Sequence, residues 1–248
     1  MRMPDHRWQV LRLEAPLLAF GGVTIDQMGV TRDFPAASML TGLLANALGW
    51  QRTEWGKHQA LQDRLVFASR WERGGDQGVL TDTQNARLAA SDKGWTTWGK
   101  PEGRDGASYG APHRRFRDYH PDACVIITLR LDPEDDEPSL GDLAAALDRP
   151  ARPIFIGRKP CLPSAPLRQR VDIIAPTAYE ALQKVPADEG CQREGMRALW
   201  PFGEGPDDGP EVHRVIDLPD LRNWRTGLHG GTRKIVEGII EPSREAIA

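Results

Sequence analysis

Residues 35–50 read PAASMLTGLLANALGW, and the parsing of the whole chain turns on this stretch. Met39, Leu40, Leu43, Leu44, Ala47 and Leu48 recur at i, i+3 and i+4, the spacing of one helix face. Pro35 suits the first helical turn, and Gly49 suits the position just past the last one. The spacing predicts an amphipathic helix whose apolar face belongs to a core.

Upstream, residues 8–13 (WQVLRL) alternate and predict a buried first strand, with a loop at Phe20-Gly21-Gly22. Downstream, a short helix near residues 58–62 leads to strands at 65–71 and 78–84. Residues 85–112 hold Trp95, Trp98, Tyr109 and five glycines, with no apolar period. That length without periodicity predicts a functional excursion, from which residues 114–118 return. Residues 123–131 (ACVIITLRL) form the clearest strand. Residues 139–147 (SLGDLAAAL) form a helix with Ser139 as N-cap and Asp142 completing a variant of the capping box. Residues 153–156 predict a short strand into a Gly-basic loop. The order is close to βαββαβ, an α+β fold of ferredoxin-like type with one long insertion. Residues 171–248 predict short strands, Pro/Gly-rich loops and one short helix near 179–184. The expected domains are 1–170, with the insertion at 85–118, and a smaller β-rich C-terminal lobe at 171–248.

The 248 residues include 32 Lys plus Arg and 35 Asp plus Glu, a net charge of −3. Forty percent hydrophobic residues suffice for a real core, which argues against general disorder. No apolar run approaches the ~18 residues of a membrane span. The first ten residues lack a signal-peptide core, so a cytoplasmic location and no membrane partner are expected. Cys124, Cys161 and Cys191 are too scattered for a disulfide framework or a cysteine zinc site.

Charge is unevenly placed. Residues 151–170 carry Arg152, Arg158, Lys159, Arg168 and Arg170 with no acid. Residues 112–120 carry Arg114, Arg115 and Arg117 against Asp118 alone, and residues 221–236 carry Arg222, Arg225, Arg233 and Lys234. Acids cluster at 132–148 and 204–211. Basic stretches interleaved with Phe116, Tyr119 and Trp224 suit a phosphate backbone with stacked bases.

Few motifs point to catalysis. Residues 106–110 match G-x-S-x-G, but their flanks lack the strand and helix of a nucleophile elbow. Phosphate-loop, dinucleotide and zinc-protease motifs are absent, and no metal or cofactor is implied. His113 and His120 flank three arginines. They read as polar residues near phosphate, with metal-free RNA cleavage as the alternative. Gly157-Arg158-Lys159 permits close backbone approach plus charge. Cys161 reads as a packed residue.

Together these residues resemble a family. The landmarks are Leu11-Arg12-Leu13 with Pro16, Ala19-Phe20-Gly21, and Arg32-Asp33-Phe34-Pro35 running into SMLTGLLANALGWQR. Gln59-Ala60-Leu61, Arg117-Asp118-Tyr119 with Asp122-Ala123, and residues 156–163 (IGRKPCLP) with Pro166-Leu167 follow in order. The chain is similar to the CasD family, a subunit of the type I-E CRISPR surveillance complex Cascade. The resemblance spans roughly residues 8–170 and fades beyond.

The resemblance implies an RRM-related, RAMP-type ferredoxin-like core with a β-hairpin thumb. It implies a non-catalytic subunit that caps the 5′ handle of the crRNA and supports assembly for antiviral DNA targeting. Its partners would be the crRNA, the CasC backbone subunit and the CasA large subunit, with target DNA reached through the complex. A metal-independent endoribonuclease acting on repeat RNA is the alternative, since a related subtype uses its equivalent subunit so. The residues expected at the RNA are Arg32, Phe34, Ser38, Gln84, His113, Arg114, Arg115, Arg117, Tyr119, Gly157, Arg158 and Lys159.

Overall fold

The computed structural model describes residues 4–75, 77–86, 93–95, 100–103, 113–189 and 195–243. Strands β1 (His6–Leu18), β2 (Thr24–Ile25) and β3 (Met28–Gly29) precede helices α1 (Ala37–Ala47) and α2 (Trp55–Arg64). Next come β4 (Leu65–Arg73), β5 (Leu80–Ala86), β6 (Lys93–Trp95), β7 (Pro101–Gly103), β8 (His113–Leu131) and α3 (Leu140–Asp148). The chain then forms β9 (Arg168–Ala175), α4 (Ala178–Lys184), β10 (Met196–Pro201), β11 (Val212–Arg222) and β12 (His229–Ile240).

The fold is mixed α+β, built on one sheet of order β11-β12-β10-β4-β8-β1-β9. Strand β1 lies antiparallel between β8 (Gln9 opposite Leu129) and β9 (Trp8 opposite Ile173). Strand β4 takes the other edge of inner β8, with Phe67 opposite Leu129. Residues 123–131 are buried throughout because both faces of the sheet are covered. Val125, Ile127, Leu129 and Leu131 join the core beneath α1 and α3. Ile126 joins a second core with Trp8, Val10, Ala68 and the α4 residues Ala181 and Leu182. A strand covered twice reads as a continuous apolar run, which is why ACVIITLRL is so legible.

Helix α1 presents Leu40, Leu43, Leu44 and Ala47 to the first core, as its spacing predicts. Pro35, however, precedes the N-cap Ala36 and stands outside the helix. Alanine has no side-chain acceptor, so the cap comes from β11: buried Asp220 accepts from the Ala37 N–H at 2.9 Å. Arg233 holds the same carboxylate at 2.9 Å. At the far end Gly49 takes φ +78°. The Gly49 N–H donates to Asn46 O, and the Trp50 N–H to Ala45 O. This bond pair closes a helix through a left-handed residue. In α3, Ser139 and Asp142 form the expected reciprocal capping box.

Three expectations are corrected. Residues 153–156 form no strand; the strand beside β1 is β9. The Ile156 N–H is used inside a tight turn, donating to Cys161 O at 2.8 Å, and so is withdrawn from any ladder. The strand expected at 78–84 is displaced to β5 and belongs to an arm, pairing with the outer part of β8 from Leu80 opposite Tyr119 to Ala86 opposite His113. The C-terminal strands β11 and β12 are 11 and 12 residues long, not short, and pair along most of their length. Strand β9 runs through residues 168–175, and β10 pairs with β4.

Candidate nucleic-acid interface

Strand β8 leaves the core at Tyr119 and continues outward as one side of a ribbon. Strand β5 pairs with one edge of this outer half, and β3 pairs in parallel with the other, Met28 opposite Phe116. Further out, β6 pairs with β7. Residues 87–92, 96–99 and 104–112 of the expected excursion lie outside the described residues.

The outer half displays the predicted basic stretch. His113, Arg114 and Arg115 are exposed, with Asn85 opposite Arg114 and Gln84 opposite Arg115. Gln84 is exposed too, its Nε2 donating to Asp82 at 2.8 Å. Among the described residues, Arg114 and Arg115 form no ion pair. Arg117 is half-buried and donates to Gln27 O at 3.2 Å and Phe116 O at 2.9 Å. Its side chain lies so close to Gly29 that a Cβ there would sit 2.7 Å from Nη1.

The other predicted residues divide into cleft walls and structural groups. Gly157 adopts φ +83°, and a Cβ there would stand 1.6 Å from Ala19 O, so only glycine fits. Arg158 donates to Asp118 O (2.7 Å), Gly29 O (2.7 Å) and Val30 O (3.0 Å), and covers the Tyr119 ring at 5.0 Å. It pins the base of the ribbon to the turn, and most of its donors are used. Lys159 beside it is exposed. Ser38 and Gly157 share the wall of a cleft of about 440 Å³ between α1, the Gly21-Gly22 loop and Arg222-Trp224.

Phe34 and Tyr119 are core residues, 5% and 3% exposed, and therefore not stacking platforms for bases. Phe34 packs edge-on against Trp71, with Arg197 over its ring at 5.5 Å. Arg32 donates to Pro219 O at 2.6 Å and lines a different small cleft with Arg214 and Glu237. His120 is buried between Phe20 and Trp71, its Nε2 donating to Arg32 O at 2.8 Å. His113 lies seven residues away along an extended strand, about 23 Å at ordinary strand rise. The structure does not bring the two histidines together.

The cysteines offer no nucleophile among the described residues. Cys124 and Cys161 are wholly buried, and burial pushes the Cys124 thiol up to about 12 and raises that of Cys161. Cys191 lies outside the described residues. The Arg12 guanidinium, bonded to Asp188 at 2.6 Å and Glu14 at 2.7 Å, holds both carboxyls below their usual range. That network braces β1 from the side and offers no free base.

Sequence reasoning placed Arg222 and Trp224 in a basic stretch but not at the site. Both line the cleft with Ser38. Their placement depends on Gln59 and Gln62 of α2. Gln62 Oε1 accepts from Trp224 Nε1 and from the Arg222 N–H, each at 3.1 Å, and Gln59 Oε1 accepts from the Trp224 N–H at 3.2 Å. The only local signal was Arg-x-Trp in a polar loop, which says nothing of a partner 160 residues upstream.

Residues 9–236 match the family model of CRISPR-associated protein (Cas_Cas5). The Cascade subunit CasD of Escherichia coli (strain K12) is 30% identical over 158 residues, covering 64% of this chain and 68% of that protein. Among solved structures, a chain of a CRISPR RNA-guided surveillance complex superposes with a TM-score of 0.66 at 22% identity, covering 95% of this chain and 90% of the other. A crystal structure of a Cas protein superposes with 0.59 at 21% identity, over 94% and 95% of the two chains. The expected family resemblance is thereby borne out: this chain belongs to the CRISPR-associated Cas5 family that includes CasD.

Proposed function

We propose that this chain is the CasD-type subunit of a Cascade complex, acting without catalysis to hold the 5′ handle of the crRNA. The carrying observation is the outer half of β8, whose exposed Arg114 and Arg115 form no ion pair among the described residues. Unpaired cations on a projecting ribbon suit phosphates, whose neutralisation releases counterions. The cleft beside Ser38 and Gly157 offers a close-approach wall for a splayed single strand.

The strand order β9-β1-β8-β4, with α1 and α3 over one face, supports a ferredoxin-like core of RAMP type. The ribbon of β5 and outer β8 takes the part of the thumb. Residues 171–248 serve as a C-terminal lobe that caps α1 through Asp220. In this reading CasC and CasA are the protein partners, target DNA is reached through the complex, and the site of action is the cytoplasm. The separation of His113 from His120 gives the ribonuclease alternative no general acid–base pair.

The test is assembly with CasC, CasA and guide RNA using R114E/R115E/K159E. The expected result is loss of RNA-containing complex at an unchanged melting temperature. Wild-type assembly and RNA content in the variant would overturn the proposal.

A further inference from the structure

We propose that Arg52 and Arg222 form a phosphate subsite for single-stranded RNA, one that grips the backbone without reading the base. The inference rests on the RNA-binding reading above and extends it to the C-terminal lobe.

The two guanidinium groups are neighbours. A Cβ built on Gly227 would lie 3.1 Å from Arg222 Nη2 and 3.7 Å from Arg52 Nη2. Among the described residues neither arginine is paired with a carboxylate. Two like charges brought together without a counter-charge cost free energy in the empty protein, and an anion between them recovers it. Arg222 Nε is in addition buried and has no hydrogen-bond partner.

The Arg222 guanidinium is held ready. It lies over the Trp224 indole at 5.1 Å, and His58 covers that ring at 4.8 Å with a 32° tilt. Gln62, itself 4% exposed, fixes both residues, accepting from Trp224 Nε1 and donating to Arg222 O at 3.0 Å. His58 and Arg222 both pack against the Trp224 ring. Its part is to hold a cation. The ligand is therefore recognised by charge, and base identity is left unread.

Size and continuity indicate a phosphodiester. Arg52, Arg222 and Trp224 line a cleft of about 300 Å³, which fits a single nucleotide. That cleft shares Gly42, Asn46, Phe155, Arg222 and Trp224 with the larger cleft beside Ser38. A strand lying along α1 would pass from one to the other. Arg152 adds positive potential while its own donors cap Trp50 O and Gly49 O, each at 2.8 Å.

The test titrates the full chain with fluorescent oligo-uridine and oligo-adenosine octamers over a salt series, comparing wild type with R52Q/R222Q. The expected result is about a tenfold loss of affinity for both RNAs. The slope of log affinity against log salt should also fall by about 1.4, two single-strand phosphate contacts. Exposed Arg52 permits R52Q alone, expected to remove about half that slope, should the double variant fold poorly. Unchanged affinity and slope overturn the inference and leave the RNA reading standing. A loss confined to one of the two RNAs overturns it as well. Inorganic phosphate that raises the melting temperature of wild type but not of R52Q/R222Q, with RNA affinity equal in both, would also overturn it. A wild type that binds neither RNA removes the RNA reading and this inference together.

Discussion

Residues 123–131 and residues 113–118 belong to one strand, yet they live in opposite environments. The inner half is buried on both faces and paired on both edges along most of its length, by β1 and β4. The outer half carries arginines and is flanked by the short β3 and by β5. The change occurs at Tyr119 and His120, both buried, and Arg158 clamps the joint through Asp118 O. Stability and binding are thereby separated along a single backbone: the inner half is tuned by packing, the outer by charge.

Three variants probe that division. Ile127→Ala removes a fully buried side chain from beneath α1 and α3 and should cost about 3 kcal/mol in denaturant unfolding. Its folded fraction should still bind RNA with wild-type affinity; a weakened folded fraction would break the separation. Arg158→Ala acts at the joint, where several charge-assisted bonds are lost, and should cost about 2 kcal/mol. Amide exchange should accelerate in β3 and outer β8 while residues 125–130 stay protected. Uniform acceleration would show that the halves unfold as one. Arg114→Ala with Arg115→Ala should move stability by less than about 0.5 kcal/mol. The salt slope of RNA binding should nonetheless fall by about 1.4.

The inner half was readable from sequence because its apolar run is local, as was α1, whose face repeats every turn. The capping box at Ser139 was readable for the same reason: its partners are three residues apart. The ribbon's cations were also visible as a cluster. Other features depend on distant contacts and leave no local trace. Tyr119 resembles a stacking aromatic in a basic stretch and Phe34 an aromatic beside the RNA, but Trp71, Arg197 and Arg158 cover them. Arg158 has the sequence context of a phosphate ligand, and only the carbonyls at 29, 30 and 118 show that it is a clamp. The missing cap of α1 is supplied by Asp220, 183 residues onward. Residues 153–156 carry strand-like residues in a turn because Ile156 N–H bonds to Cys161 O. Local propensity competes there with a tertiary bond, and the bond prevails.

The position of β1 has a consequence for synthesis. It leaves the ribosome well before its two partners, β8 and β9, which begin at His113 and Arg168. Neither ladder exists until more than a hundred further residues have been made. At about 5–20 residues per second, WQVLRL waits several seconds with both edges and an apolar face unprotected. Helix α1 is complete by then but has no sheet to rest on. A translational pause before β9 would lengthen the interval in which these edges stay unpaired.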